Sequence, residues 1–185
     1  PIRILFLDEV DRFPASAGSE GDPVKLAIKR TASFVNRKII MTSTPTVKGG
    51  SRIEMAFDAS DQRRYHIPCP ECGNMDHIKW SNIHWAKGDD GKWDRSAPWL
   101  ECEACKAVIP ETSKRSMIAA GRWIAGAESH GVAGFHINEM YSPTRTWTEI
   151  VEDHYEAMGD TELRRVWVNT TLGETYEEQG KTIDA

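Results

Sequence analysis

The chain opens with an apolar run that ends in two carboxylates. Residues 2–7 are mostly aliphatic or aromatic, and Asp8 and Glu9 follow directly. A short continuous apolar run with a polar end is typical of a buried parallel strand. Nucleotide hydrolases use two acids at such a strand end, one to hold Mg²⁺ and a neighbour to orient or deprotonate the attacking water.

A helix and a second strand follow in the order of a parallel α/β unit. Asp22 and Pro23 have the character of an N-cap and a first-turn proline, and apolar residues then recur at helical spacing. We therefore expect a helix over residues 23–36. The apolar segment 38–41 predicts a second buried strand. A strand, a crossover helix and a strand predict a parallel sheet, whose ligands bind beyond the carboxyl ends of its strands.

Hydroxyl side chains follow the second predicted strand. Ser43, Thr44 and Thr46 surround Pro45, which forces the chain out of regular structure. Because the strand ends of a parallel sheet meet at one edge, these hydroxyls are expected where a γ-phosphate sensor would lie. The alternative interpretation is an ordinary strand-to-loop turn, and many α/β proteins also place an acid after a strand without catalytic meaning.

The cysteines form two closely spaced pairs, which are Cys69 with Cys72 and Cys102 with Cys105. Each C-x-x-C pair can chelate one ion from a tight turn, and two pairs complete a closed tetrahedral zinc site. The 29 residues between the pairs exceed the usual zinc-ribbon spacing of ~15–20, and a predicted hairpin turn at residues 88–91 can absorb the excess. Four free or redox-active thiols are the alternative. His66 and His77 are alternative ligands, but four thiolates already fill the site, so we interpret these two residues as ordinary loop histidines.

Aromatic residues are concentrated around the cysteines. Residues 65–110 hold four of the seven tryptophans, namely Trp80, Trp85, Trp93 and Trp99. Such side chains can stack on nucleic-acid bases. We expect them instead to form the small core of a metal-stapled β insert, which has little else to bury.

The last third of the chain predicts further elements. We expect a short helix capped by Thr112 and ending near Gly121, then a strand over residues 132–141. Thr146 and Glu149 fit a capping box at the start of a helix. Asp160 is the expected cap of one more helix.

Composition excludes several classes of protein. The hydrophobic fraction of 39% and charged fraction of 28% are those of an ordinary globular protein. The formal net charge of −5 argues against a uniformly basic nucleic-acid binder. No apolar stretch approaches the ~20 residues that span a bilayer, and no secretory signal is present. The first residue is Pro1, and we expect the chain to be a piece of a larger protein.

Taken in order, several segments resemble the terminase large subunit of lambda-like phages, the GpA family. Residues 4–14, which end Asp-Glu-Val-Asp-Arg-Phe-Pro, resemble its Walker B segment. Residues 36–46 resemble its coupling motif, and the two cysteine pairs match its zinc-ribbon insert. Residues 134–143 and 169–174 are similar to its later segments.

The resemblance implies a fold and a domain order. The implied fold is α/β. It consists of part of the parallel sheet of a P-loop (RecA/ASCE-like) ATPase, with a small β zinc ribbon inserted. Residues 1–64 are then the C-terminal part of the ATPase core, residues 65–110 the zinc-ribbon insert, and residues 111–185 a return to the core with a helical linker toward a nuclease domain.

The resemblance also implies site residues and partners. Asp8 and Glu9 carry over as the Walker B pair, and Ser43, Thr44 and Pro45 as the coupling motif. A structural Zn²⁺ and, in the full-length parent, Mg²⁺ and ATP are the implied cofactors. The implied partners are double-stranded DNA, the terminase small subunit, the portal or procapsid and further copies of the motor, in the host bacterial cytoplasm and without a membrane.

The resemblance implies catalytic parts that we do not find in this sequence. The Walker A loop and its lysine are absent, so we expect the chain alone to be inactive. The nuclease carboxylates are expected beyond Ala185. Glu174, Glu177 and Glu178 are tempting candidates, but an acidic solvated turn is the preferred interpretation.

Two other functions stay open at this stage. Residues 8–11 also resemble the DExD box of helicases, which share the same sheet. The second alternative is a non-enzymatic zinc-ribbon module that binds DNA or a protein partner.

Overall fold

The structure is a computed structural model, and it describes residues 1–177. The chain is a mixed α/β protein and divides into two compact units. The first holds Pro1–Ala56 and the described residues from Thr175 onward, and the second holds Phe57–Glu174. Within the described residues, no helix combines the length and apolar character that a bilayer span requires.

The first unit contains two strands and the helix between them. These are β1 (Ile4–Leu7), α1 (Pro23–Lys29) and β2 (Lys38–Met41). The strands pair in parallel, with Ile4 opposite Lys38 and Leu7 opposite Met41. A further helix, α2 (Arg52–Asp58), begins in this unit.

The helix α1 begins where predicted and ends earlier. Asp22 caps it by accepting the backbone N–H of Val24 at 2.9 Å, but the expected extension to residue 36 is wrong. The backbone N–H groups that follow Lys29 donate to carbonyls three residues earlier, not four as in an α-helix. The Thr31 hydroxyl also donates to the Ile28 carbonyl at 2.7 Å. A side-chain donor that competes for helix carbonyls favours a turn over further helix.

One face of the small sheet forms the core of the first unit. Leu5 and Leu7 are buried with Val24 of α1, whereas Ile4 and Phe6 are exposed by 60% and 66%. The apolar run predicted a strand buried on both faces. In the described residues α1 packs against one face only, so β1 is buried at alternate positions.

The second unit contains short strands, one short helix among them and two helices near its end. They are β3 (Arg63–Pro68), β4 (Met75–His77), β5 (Ile83–His84), β6 (Trp99–Glu101), β7 (Val108–Pro110), α3 (Lys114–Ala119), β8 (Arg122–Ile124), β9 (Phe135–His136), α4 (Trp147–Ala157), α5 (Thr161–Trp167) and a π-helical turn (Val168–Leu172). One sheet has the order β4-β3-β8, with β9 paired in parallel to β3, and the other is the antiparallel sheet β5-β6-β7.

The tryptophans near the cysteines pack into a core that later helices share. The Trp80 ring lies 5.4 Å from the Trp85 ring and 4.8 Å from that of Trp167 in α5. Trp147 and Ile150 of α4 are fully buried in the same cluster. Trp80, Trp85 and Trp93 therefore pack in a core as predicted, but α4 and α5 share that core and supply much of its apolar surface.

The predicted caps at Thr146 and Asp160 are correct, whereas the cap at Thr112 and one predicted strand are wrong. Thr112 lies within the 3-10 turn Glu111–Ser113, and α3 begins after it without a side-chain cap. Thr146 and Glu149 form the expected capping box, and Asp160 caps α5. The strand predicted over 132–141 is limited to β9, and Glu139–Tyr141 is a 3-10 turn. The buried hydroxyl of Tyr141, which accepts the Ile78 N–H at 2.6 Å, anchors this segment instead of a strand ladder.

Candidate nucleotide site and metal centre

The carboxyl ends of β1 and β2 are joined by direct hydrogen bonds. The Thr42 hydroxyl donates to Oδ1 of Asp8 at 2.5 Å. The backbone N–H of Val10 donates to the Thr42 carbonyl at 3.2 Å. The acidic segment and the hydroxyl-rich segment therefore meet at one sheet edge, where parallel α/β sheets bind their ligands.

Glu9 has an unusual backbone conformation. Its φ of 53° and ψ of 47° place it in the left-handed region, which costs a non-glycine residue ~1–2 kcal/mol. The side chain is half exposed, with its carboxylate 4.0 Å from the Arg12 guanidinium. Strain of this kind is concentrated at functional sites, and here it turns the second acid of the pair out toward solvent.

The candidate coupling segment contacts the loop after the acids through Asp11. Oγ of Ser43 accepts the Asp11 N–H at 3.2 Å, and the Thr46 hydroxyl donates to Oδ2 of Asp11 at 3.0 Å. Oδ1 of Asp11 accepts the N–H of Ile53 in the first turn of α2 at 2.9 Å. Ser43 also donates to the Thr44 carbonyl at 3.0 Å. Asp11 thus ties together three segments.

Arg52 fixes the same loop from α2. Its guanidinium donates to the carbonyls of Val10, Phe13 and Pro14 at 3.0, 2.7 and 2.9 Å, and lies 3.7 Å from the Asp22 carboxylate. A planar guanidinium can satisfy several acceptors in one fixed geometry. No sequence signal identified Arg52, since its partners are about 40 residues away, whereas Asp11 could have been found in its acid-rich run.

The described part of this edge suits divalent cation chemistry. Its oxygen ligands are carboxylates and hydroxyls, and hard cations such as Mg²⁺ prefer oxygen. Asp8 already has one carboxylate oxygen oriented by Thr42 and by the Glu9 N–H at 3.1 Å. Its second oxygen has no such bond among the described residues and can accept a metal or a metal-bound water.

The four cysteines converge on one point of the second unit. Sγ of Cys69 lies 3.8 Å from Sγ of Cys105, and Sγ of Cys72 lies 3.8 Å from Sγ of Cys102. Four thiolates at the Zn–S distance of about 2.3 Å form a tetrahedron with edges of about 3.8 Å. The cluster is therefore compatible with a zinc ion.

Two similar turns present the cysteines. Gly73 donates its N–H to the Cys69 carbonyl at 2.9 Å, and Lys106 does the same to Cys102 at 2.9 Å. Gly73 and Lys106 both have a φ in the left-handed region, 73° and 60°. The backbone N–H of Cys105 lowers the pKa of Cys102 to about 7. The thiolate form that metals bind is thereby favoured at Cys102, whereas the neighbouring thiols raise the pKa of Cys105 to about 12 in the absence of an ion.

The two histidines near the cysteines are on strands and not in loops. His66 of β3 and His77 of β4 are directly opposite each other in the antiparallel ladder. Burial lowers the pKa of His77 to about 4. The interpretation as loop histidines is thus wrong in placement, because the cysteine turn between them closes a hairpin.

Sequence comparison identifies the family. The profile described as "Phage terminase large subunit gpA, ATPase domain" matches residues 1–123. This chain belongs to the gpA family of phage terminase large subunits. A second gpA profile, "Terminase large subunit gpA, endonuclease domain", matches residues 132–185.

Two curated gpA relatives carry the name "Terminase, large subunit". The one from Enterobacteria phage P21 is 32% identical over 212 residues, covering 99% of this chain and 32% of the relative. The one from Escherichia phage lambda is 34% identical over 200 residues, covering 96% and 31%. The chain thus spans about a third of the length of these relatives. No solved structure gives a significant match.

The three candidate nuclease acids are in different surroundings. Glu174 is exposed, as expected for a solvated turn, although partial desolvation raises the pKa of its carboxyl group. Glu177 is exposed and forms an ion pair with Lys48 at 3.1 Å. Glu178 lies outside the described residues.

Proposed function

We propose that this chain is the Walker B, coupling and zinc-ribbon segment of an ATP-driven motor that packages viral DNA into procapsids. The observation that carries the proposal is the hydrogen bond from Thr42 to Asp8, which joins the acidic strand end to the hydroxyl-rich one. Family membership supports the same activity. The whole protein would also cleave DNA, in line with the endonuclease profile over residues 132–185.

The two acids after β1 would have different roles in ATP hydrolysis. Bound Mg²⁺ and ATP supply the phosphoryl group and the charge neutralisation that its transfer needs. Asp8, oriented by Thr42, would hold the metal directly or through water. Glu9 would orient the attacking water and accept its proton. A carboxylate turned toward solvent by a strained backbone is suited to that second role.

Ser43, Thr44 and Pro45 would transmit hydrolysis to the rest of the motor. Ser43 bonds to the backbone of Asp11, three residues after Asp8. When the γ-phosphate is lost, a change in the position of Asp8 and Glu9 can therefore be transmitted to α2 through Asp11 and Ile53. Such a chain of bonds between the hydrolysis site and a helix is what coupling requires.

The remaining parts of the proposal concern fold, cofactors and partners. The first unit would be part of a P-loop ATPase sheet, and the strands around the cysteines a zinc ribbon with a structural ion. Double-stranded DNA, the small subunit, the portal and further motor copies are the proposed partners, in the host bacterial cytoplasm. The domain limits at residues 64, 110 and 185 stay predictions.

The test uses the full-length protein and its ATP turnover. Glu9→Gln should abolish turnover while sparing nucleotide binding, because the amide keeps the shape but cannot accept a proton. Glu20→Gln, in the exposed loop before α1, is the matched control and should behave as wild type. Normal turnover in Glu9→Gln would remove the catalytic assignment, and strand separation of duplex DNA would favour a helicase over a packaging motor.

A further inference from the structure

A cluster of metal-ligating side chains lies at the hairpin that carries the first cysteine pair. It consists of His66 on β3 with Asp76 and His77 on β4, and one ligand atom from each lies within 4.8 Å of the others. None of the three belongs to the four-cysteine cluster, which is complete without them. We propose that His66, Asp76 and His77 form a second site for a divalent transition metal such as Zn²⁺.

The backbone register brings the two imidazoles together. His66 and His77 are directly opposite across the antiparallel β3–β4 ladder, where Cβ atoms are typically ~4.5–5.5 Å apart. Their ring centroids are 5.4 Å apart, with planes inclined by 50°. The rings therefore share one face of the hairpin and are not stacked flat, so their nitrogens can converge on one ion.

The carboxylate of Asp76 is placed to complete the set. Its Oδ1 lies 3.2 Å from Nδ1 of His77. Ligand atoms around a tetrahedral zinc ion at about 2.0–2.1 Å are about 3.3 Å apart, so this spacing is the one a shared ion needs. The other oxygen, Oδ2, faces Lys79 at 3.4 Å, which would keep Asp76 monodentate.

The hydrogen bonding of the histidines also points to a ligand. Within the described residues, Nδ1 of His77 is buried and makes no hydrogen bond, although Oδ1 of Asp76 lies 3.2 Å away. A buried polar atom without a partner is costly and calls for an explanation. Nδ1 of His66 is 3.5 Å from the Met75 carbonyl, and metal-bound histidines commonly donate their second ring N–H to such a carbonyl.

The local charge is compatible with a cation. The ammonium group of Lys79 lies 3.4 Å from Asp76, and its charge is shared with the Glu103 carboxylate at 2.9 Å. Arg64 lies on the same strand as His66, two residues earlier. The imidazole and carboxylate set favours Zn²⁺ or a neighbouring first-row metal over Mg²⁺ or Ca²⁺. With three protein ligands, water would occupy the remaining position.

The test counts metal ions bound to the 185-residue chain after equilibrium dialysis against zinc at pH 7.5. Wild type should retain one ion more than His77→Gln. His84→Gln is the matched control, since His84 on β5 lies outside the cluster beside Trp99, and it should retain as many ions as wild type. Equal zinc content in His77→Gln and wild type would overturn the proposal.

Cobalt substitution separates the two sites. Thiolate-to-cobalt charge-transfer absorption reports the cysteine cluster, and it should be unchanged in His77→Gln while the weaker absorption of the second ion is lost. If that band shows that His77→Gln is misfolded, Asp76→Asn and His66→Gln replace it, and each should lack the same ion. Retention of the full complement by these folded variants would also reject the site.

Discussion

The hydroxyl of Thr42 donates to the carboxylate of Asp8 at 2.5 Å, across the ends of two parallel strands. In the full-length protein we expect Thr42→Val to lower ATP turnover by about tenfold, equivalent to ~1.4 kcal/mol. The reason is that the candidate Mg²⁺ ligand loses a charge-assisted hydrogen bond. Thr42→Ser keeps the hydroxyl and should retain most of the activity. Steady-state hydrolysis at saturating Mg²⁺ measures the effect, and equal rates for the Val and Ser variants would contradict it.

Metal removal should unfold the region around the cysteines. Structural zinc contributes ~10–16 kcal/mol in zinc-finger peptides, which is comparable to the ~5–15 kcal/mol that stabilises a whole domain. A strong chelator should therefore lower the unfolding temperature and change the fluorescence of Trp80 and Trp85, which pack against that core. Readdition of Zn²⁺, but not of Mg²⁺, should reverse both changes. An unchanged unfolding curve in chelator would show that the cysteines hold no structural ion.

Acidification should destabilise the second unit through His154. The His154 ring lies 4.8 Å from Trp167 and 5.0 Å from Trp80, and burial lowers its pKa below the ordinary value of 6.5, with Arg164 adding to the effect. The neutral imidazole is thus favoured in the folded state. Stability from this group is complete above about pH 6.5 and declines as the pH falls below it.

The His154→Phe variant isolates this contribution. Between pH 7.5 and 5.5, wild type should lose more thermal stability than His154→Phe, measured with the same excess of zinc. Any loss of zinc affects both proteins, so the difference between them reports the histidine. Parallel decreases in the two unfolding temperatures would exclude this role.

Gly134 has no room for a side chain. A Cβ atom there would lie 1.9 Å from Oγ and 2.8 Å from Cβ of Ser60. Ser60 is buried and held by bonds to the Phe57 carbonyl at 2.6 Å and the Gln62 N–H at 3.0 Å, so it cannot move away freely. Gly134→Ala should lower the free energy of unfolding by ~1–3 kcal/mol.

Urea unfolding of Gly134→Ala tests this prediction. Gly50→Ala is the matched control, since its new Cβ would meet only the Val47 carbonyl, at an ordinary 3.6 Å. That variant should remain within about 0.5 kcal/mol of wild type, as is usual for surface substitutions. If the two alanine variants unfold at the same urea concentration, the close packing at Ser60 is not rigid.

Chemical signals that depend on neighbouring residues were readable from the sequence. Each of these signals involves residues no more than about four positions apart in the chain. They are the two C-x-x-C pairs, the capping box of Thr146 and Glu149, and the cap at Asp160. The acid-ended strand β1 was equally clear, because its pattern is local. These signals fix the starts of α4 and α5, the four cysteines that later converge and the family resemblance before any tertiary contact forms.

The tertiary structure alone decided which distant groups meet. The sequence does not show that Arg52 holds the carbonyls of Phe13 and Pro14, or that His66 faces His77 across a hairpin. It also gave the wrong end for α1 and the wrong strand before Tyr141. In each case the hydrogen bond that decides the structure either joins residues far apart in the sequence or comes from a side chain that competes with backbone hydrogen bonding. The sequence by itself thus determined which chemical groups this chain carries, and only packing between remote segments determined which side chains lie together.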